Sequence, residues 1–442
     1  MAEYELLLGG RVSYGTLYDD LKMYFEEGGA EAYVARVVGA AATAGFLLLK
    51  DRAAVTPLDT LRVEASSPGA WSTNITVEVA AGTVAASYKL VIRYNGAIAE
   101  TFDNLLTPAD AVGAAARSTY VRVTNLGSAT VAPGNLPAIL AATALSAGTD
   151  DRAAVTAGNV SSALDRFGFE LGSGAVGMPG YTSAQVGAAA IAHCKTYNRI
   201  ALLSVASNAT SADAIAAAGA FSSDGEYAGI FYPWVVVPDG ATATRTISPE
   251  GYVAACRARA HRTVGAWRAP AGEIAQATYV ISPATALTKA VANQLDEARV
   301  STIRTIIGTT RLYGWRSLSL DAENYALLIG RDMLNTFAVQ GEKLLEPYVF
   351  ETIDGRGQLL GRIASTLVGM VDQVRQAGGL FERIDESGEQ IDPGYSVDVG
   401  PAVNTPDVFA ENQVHAVLAV RVSPVGTLID LTIVKSGLTA NV

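Results

Sequence analysis

Ile200-Ala201-Leu202-Leu203-Ser204-Val205 and Tyr227-Ala228-Gly229-Ile230-Phe231-Tyr232 are two short β-rich runs. Apolar residues at helical spacing cover roughly 182–197 before the first run, and a second helical stretch spans 210–220 between them. Apolar residues recurring every three or four positions mark a helix face, while short runs rich in branched and aromatic residues mark strands. Strands separated by helices of this length predict parallel pairing with right-handed crossovers, because a tight hairpin cannot join parallel strands. The region 150–310 is therefore expected to be α/β.

On the N-terminal side, Leu17, Leu21, Tyr24 and Phe25 fall at helical spacing and Gly28-Gly29 stops the pattern. The run Ala32-Tyr33-Val34-Ala35-Arg36-Val37-Val38 is expected to be a strand. With no strand ahead of that helix, the opening reads as the interior of a fold. From about 61 to 145 the pattern is β. Ile75-Thr76-Val77-Glu78-Val79 alternates apolar and polar, and Asn95-Gly96 separates Tyr88–Tyr94 from Ala97–Phe102. An Asn-Gly pair between β runs predicts a hairpin, since a type I′ turn needs positive φ at both central positions. Thr107-Pro108-Ala109-Asp110 predicts a short helix, and Gly148-Thr149-Asp150-Asp151 a boundary.

On the C-terminal side, two long amphipathic helices are expected. Tyr325, Leu328, Ile329, Met333 and Phe337 line one face of the first, and Leu360, Ile363, Leu367, Met370 and Val374 one face of the second. Two β runs follow, Ala416–Val422 and Thr427–Lys435, split by Pro424 and Gly426.

Composition excludes several classes of function. The 442 residues are 50% hydrophobic and 17% charged, which excludes intrinsic disorder. No apolar run in a candidate helix reaches the ~18–20 residues of a membrane span. Glu3, Glu5, Asp19, Asp20, Glu26 and Glu27 make the first thirty residues unlike a signal peptide, so a soluble, unsecreted chain is expected. A net charge of −11 argues against a broad nucleic-acid-binding face. Two cysteines, Cys194 and Cys256, do not make a disulfide framework.

The chemical motifs are sparse. Gly172-Ser173-Gly174-Ala175-Val176-Gly177 matches G-x-G-x-x-G. However, Pro179-Gly180-Tyr181 intervenes before the next helix and no acid lies between 178 and 212, so a plain glycine loop is the better reading. No lysine follows a glycine, which excludes a P-loop. His193-Cys194-Lys195 and the Cys256/His261 pair do not supply the paired ligands of a zinc site. Nothing in the sequence brings either cysteine to a histidine as a nucleophile pair, and no G-x-S-x-G elbow is present. No catalytic, cofactor-binding or metal residue is assigned.

Four blocks, in order, resemble those of contractile tail sheath proteins. Leu61-Arg62-Val63-Glu64-Ala65-Ser66-Ser67-Pro68-Gly69-Ala70-Trp71-Ser72-Thr73-Asn74 resembles the family's Ala-x-x-Pro-Gly-x-Trp signature. Glu226–Val235, with Tyr232-Pro233-Trp234, is similar to its strand ending in Tyr-Pro-Trp. Ser248–Ala255 followed by Gly265-Ala266-Trp267-Arg268-Ala269-Pro270-Ala271-Gly272 resembles its Pro-x-Gly … Gly-x-Trp-x-Ala-Pro-Ala block, with Ala254-Ala255 where the family has Ala-Gly. Tyr313-Gly314-Trp315-Arg316-Ser317-Leu318-Ser319 resembles the block that opens its C-terminal domain.

The resemblance implies an α/β multidomain chain that is not an enzyme. Its parts would be 1–60 as the N-terminal portion of the sheath domain, a small β-sandwich-like module at 61–149, and a subtilisin-like α/β domain without a catalytic triad at 150–311. A C-terminal α/β domain at 312–423 and a terminal strand arm at 424–442 complete the expectation. Family members carry a longer N-terminal segment with an arm that joins a neighbour's sheet, whereas Glu3–Gly10 here resembles an internal stretch of their first domain. Implied partners are further copies in a helical homopolymer, a tail tube protein, and baseplate and terminator proteins, in a virion tail assembled in the host cytoplasm. Neither nucleic acid nor a membrane is an implied partner. Arg356, Arg362 and Arg375 on or near the second long helix are candidates for contact with tube carboxylates. Thr427, Leu428, Ile429, Asp430, Leu431, Thr432, Ile433, Val434 and Lys435 are the candidate inter-subunit strand. The competing class is an α/β hydrolase or oxidoreductase with an accessory β module, and a tube or capsid protein is a third, less favoured reading.

Overall fold

A computed structural model describes residues 1–221, 223–240 and 242–427. The chain forms two compact units, one continuous from Arg36 to Ala163, the other assembled from Met1–Ala35 and Leu164–Val442.

The Arg36–Ala163 unit consists of two antiparallel sheets. One pairs β1 (Phe46–Lys50), β2 (Asp59–Ala65) and β6 (Val121–Asn125); the other runs in the order β5 (Ala97–Leu105), β4 (Tyr88–Tyr94), β3 (Ile75–Ala81), β7 (Leu140–Ala144). Alternation in the sequence becomes alternation in burial. Ile75, Val77 and Val79 are buried and the residues between them are not, as a pleated strand with one covered face requires. They join Leu61, Val63, Tyr88, Leu90 and Ile92 in one core. The β4–β5 turn carries φ 51° at Asn95 and 81° at Gly96, the type I′ geometry expected of that dipeptide. The helix Pro108–Ala115 opens on a reciprocal cap: the Asp110 amide donates to Thr107 Oγ1 at 3.2 Å and the Thr107 amide to Asp110 Oδ2 at 2.9 Å. Gly148–Asp151 ties back to the start of the same unit, with Thr43 opposite Thr149 and Arg36 Nη2 2.6 Å from Asp150 Oδ1.

The other unit is built on a five-stranded sheet in the order β15 (Thr309–Tyr313), β14 (Val300–Ile306), β10 (Ala228–Tyr232), β9 (Ile200–Ser204), β8 (Ala175–Gly177). The four strands β8, β9, β10 and β14 run parallel, and β15 returns antiparallel to β14. Helix Ser183–Thr196 links β8 to β9 and helix Ser211–Gly219 links β9 to β10, matching the expected spans to within a residue or two. All five residues of β9 and of β10 are buried, which is why their sequences are continuous apolar runs rather than alternating ones. A three-stranded sheet, β12 (Ala243–Ile247), β11 (Val235–Asp239), β13 (Ser282–Pro283), extends the unit.

Three expectations are corrected. Ala32–Val38 joins no ladder and holds no strand; Tyr33 is exposed, and no sheet edge pairs with the run. On the second long helix, Gln358–Gln376, the buried residues are Leu359, Ile363, Leu367, Met370 and Val371, so Leu359 takes the place assigned to Leu360, while Val374 packs half-buried against the core as expected. The first long helix, Leu328–Leu345, buries Leu328, Ile329, Met333 and Phe337 as expected, and with them Asp332 and Asn335, whereas Tyr325 lies ahead of the helix and not on its face. After the helices, Tyr395–Asp398 pairs with Val417–Val420.

Candidate functional site

In open α/β sheets, ligand sites form beyond the carboxyl ends of the parallel strands. Here that end is filled by the chain itself. Trp234 Nε1 donates to the Val205 carbonyl at 2.7 Å and the Tyr232 hydroxyl to the Ala209 carbonyl at 3.1 Å. Ser204, the last residue of β9, donates its hydroxyl to Glu250 Oε1 at 2.6 Å. Glu250 is the first residue of the helix Glu250–Thr263. The Gly251 amide donates to Asp20 Oδ1 at 2.8 Å, which brings the helix Leu17–Glu26 against the same point. Ser204, Glu250 and Asp20 are all buried, and Glu250 Oε2 has no hydrogen-bond partner among the described residues. Gly177 ends β8 here, where a Cβ would lie 3.1 Å from that of Glu250. Burial pushes the Glu250 carboxyl up to about 6 against the opposing pull of the Ser204 and Ser248 hydroxyls. Burial, then the charge of Glu250, pushes Asp20 well above the ordinary aspartate range.

The other carboxylates of the N-terminal segment meet donors. Asp19 lies between Arg11, 2.6 Å away, and Arg245, 2.5 Å away. Glu27 Oε1 accepts from the amides of Thr278, Tyr279 and Val280 at 3.0, 2.8 and 2.9 Å, and Arg259 stands 3.3 Å from Oε2.

Nucleophilic or metal chemistry is not assembled among the described residues. His193 faces Arg199, whose Nη1 is 2.8 Å from Nε2; His261 faces Asp332; His415 neighbours Gln413. Among the described residues, none of the three histidine side chains hydrogen-bonds to Ser204 or to either cysteine thiol. Burial pushes the Cys256 thiol up to about 12, and Cys194 higher still, so both are inert thiols. No three His, Cys, Asp or Glu side chains form a group able to hold a metal ion among the described residues. The glycine run Gly172–Gly177 contains β8 itself rather than a loop between strand and helix, and Arg199 Nε donates to its Gly172 carbonyl at 3.0 Å.

The expected tube-facing arginines are separated by their partners. Arg362 makes a two-point pair with Glu351, and Arg375 pairs with Asp372 at 2.6 Å and Glu382 at 3.0 Å. Arg356 is exposed on the turn ahead of the helix Gln358–Gln376. Of the expected inter-subunit strand, Thr427 is described and Leu428–Lys435 lie outside the described residues. The sequence alone does not mark Asp20, Glu27, Glu250 or Asp332 as buried carboxylates. Its usable signal was a carboxylate on an apolar face: Asp20 sits three residues after Leu17 and four before Tyr24.

No family model matches the chain, and no curated protein matches it by sequence. Among solved structures it is similar to the sheath tail protein Lin1278 from Listeria innocua, with a TM-score of 0.62 at 12% identity, over 91% of this chain and 84% of that one. The sheath tail protein DSY3957 from Desulfitobacterium hafniense gives 0.47 at 14% identity over 81% and 76%. A chain of the anti-feeding prophage baseplate gives 0.49 at 16% identity over 60% and 69%. The match to Lin1278 spans nearly the whole chain, and the fold is that of a sheath tail protein.

Proposed function

We propose that this chain is the structural subunit of a contractile tail sheath, in which many copies wrap a tail tube and rearrange as rigid bodies to drive it through a cell envelope. The observation that carries the reading is the fold shared with Lin1278 over 91% of the chain. The four sequence blocks in the order of the sheath family support it, and so does the filling of the sheet's carboxyl end by Tyr232 and Trp234, where an α/β enzyme would hold substrate.

Within this reading, 1–35 and 164–311 form the subtilisin-like sheath domain, 36–163 its β-rich module, 312–423 the C-terminal domain, and 424–442 an arm that adds a strand to a neighbour's sheet. The partners are other copies, a tail tube protein, and baseplate and terminator proteins, in a virion tail assembled in the host cytoplasm. Of the three arginines, Arg356 is the best placed for tube carboxylates, because Arg362 and Arg375 already have acidic neighbours. Charge reversal at Arg356 is expected to weaken tube co-assembly, and unchanged co-assembly removes that contact from the reading.

Electron microscopy of the purified chain, alone and co-expressed with its tube protein, tests the function. Helical tubes or stacked rings are expected. Monodisperse particles under both conditions, with turnover of an ester, peptide or nicotinamide substrate, would overturn it.

A further inference from the structure

We propose that the carboxyls of Asp20 and Glu250 hold one proton between them, and that this proton fastens the Leu17–Glu26 helix to the body of its unit. The helix is fastened by polar contacts more than by apolar ones. Of its ten residues only Leu21 and Met23 are buried apolar side chains, while Asp19 and Asp20 are buried beside them. Asp19 at one end has Arg11 and Arg245, and Glu27 just past the other end has three amides and Arg259.

The middle anchor differs because no cation pairs with it among the described residues. On its own helix Asp20 has Asp19, already paired; from the facing helix it has Glu250 and the Gly251 amide. Glu250 has the hydroxyls of Ser204 and Ser248, both neutral. The other charged groups of the Glu250–Thr263 helix are engaged elsewhere: Arg257 and His261 with Asp332, and Arg259 with Glu27. Two carboxylates in one buried space cannot both ionise without strong repulsion, so a shared proton is the stable arrangement. Glu250 Oε2 accepts no hydrogen bond among the described residues, so that oxygen is free to carry the proton.

The direction of the effect follows. Both carboxyls titrate higher when folded than when unfolded. Between the ordinary carboxylate value of 4.5 and the folded value of about 6 for Glu250, the folded state binds more protons than the unfolded one. Glu250's contribution is full below that window and falls as pH rises through it, while Asp20, also raised, keeps the remaining proton to higher pH. The helix loosens toward the alkaline side.

Hydrogen exchange of amides 17–26 in the full chain, corrected for intrinsic rates and followed from acid to alkaline pH, tests this. Protection is expected to fall at least about tenfold across the titration, the effect of one displaced pKa unit. In Glu250→Gln the second negative charge is removed while burial still raises Asp20, so the fall in protection is expected to shrink. If Glu250→Gln does not fold, Asp20→Asn provides the same comparison. The infrared band of a protonated carboxyl in the unmodified protein provides another, present near neutrality and lost on the alkaline side. Level protection in the unmodified protein, an unchanged fall in the variants, or no such band near neutrality would each overturn the proposal.

Discussion

Arg257 and Asp332 meet in a two-point contact, Nε to Oδ2 at 2.8 Å and Nη2 to Oδ1 at 2.6 Å, which joins the Glu250–Thr263 helix to the Leu328–Leu345 helix. The side chains are 12% and 2% exposed, and His261 Nε2 approaches the same carboxylate at 3.1 Å. Burial pushes the Asp332 carboxyl up, but Arg257 and His261 outweigh it and hold the group well below the usual range.

Asp332→Ala leaves a buried guanidinium without its counter-ion and is expected to cost about 3–5 kcal/mol. The folded value lies below the unfolded one, so the stability Asp332 contributes is full above the ordinary carboxylate range. It is lost as pH falls below about 4. Denaturant midpoints of the two proteins from neutral to acid pH check this: the gap between them is expected to narrow only on the acid side.

Glu27→Ala is expected to unfasten the N-terminal segment, since three amides and the Thr278 hydroxyl lose their common acceptor. Leaving buried donors unmade costs about 1–3 kcal/mol for each one that water cannot reach. Limited proteolysis within 1–35 is the measurement, with cleavage faster in the variant. Equal cleavage would mean that the carboxylate is not the anchor.

Trp315 is 2% exposed, and its ring centroid is 5.4 Å from that of Phe231 in β10. Trp315→Ala is expected to cost about 3–5 kcal/mol through lost contacts and the cavity left behind. Trp315→Phe is expected to recover part of that loss. Urea midpoints with the slope held constant give the comparison.

Truncation after Thr427 tests the proposed arm. Val425 packs against the core and is best retained, so the cut removes only 428–442. The shortened subunit is expected to keep its thermal midpoint and to stop polymerising. Normal sheaths from it would exclude the arm, and a lowered midpoint would mean that the segment completes its own subunit.

Legibility in the sequence follows the range of the interaction. Asn95-Gly96 specifies its hairpin because both positive-φ residues are adjacent. The helices around 183–196 and 211–219 are read from their own local pattern; the structure adds a Thr210/Asp213 cap to the latter, whose Thr210 amide donates to Asp213 Oδ2 at 2.7 Å. Ala32–Val38 misled because branched residues favour a strand only where an edge exists to pair with. The Asp20–Glu250 cluster was invisible for a different reason. Its members are 230 positions apart, and a carboxylate bound for the interior looks in sequence like any solvated one until its helix is docked. Gly177 could be seen as a glycine in a motif, but its use, making room for Glu250, depends on where a helix more than seventy residues later is placed.

The long reach of the N-terminal segment also orders events during synthesis. Asp19 bonds to Arg245, 226 positions later, and Glu27 to Thr278, 251 positions later. A ribosome therefore releases the Leu17–Glu26 helix long before its binding surface exists. Meanwhile every strand of β1–β7 has its partners inside Arg36–Ala163, so that unit is complete and able to close while the segment ahead of it waits. Domains fold as units as they emerge. The nascent chain is thus expected to carry a folded interior flanked by an undocked leading end, and the larger unit closes only after residue 280 has been made.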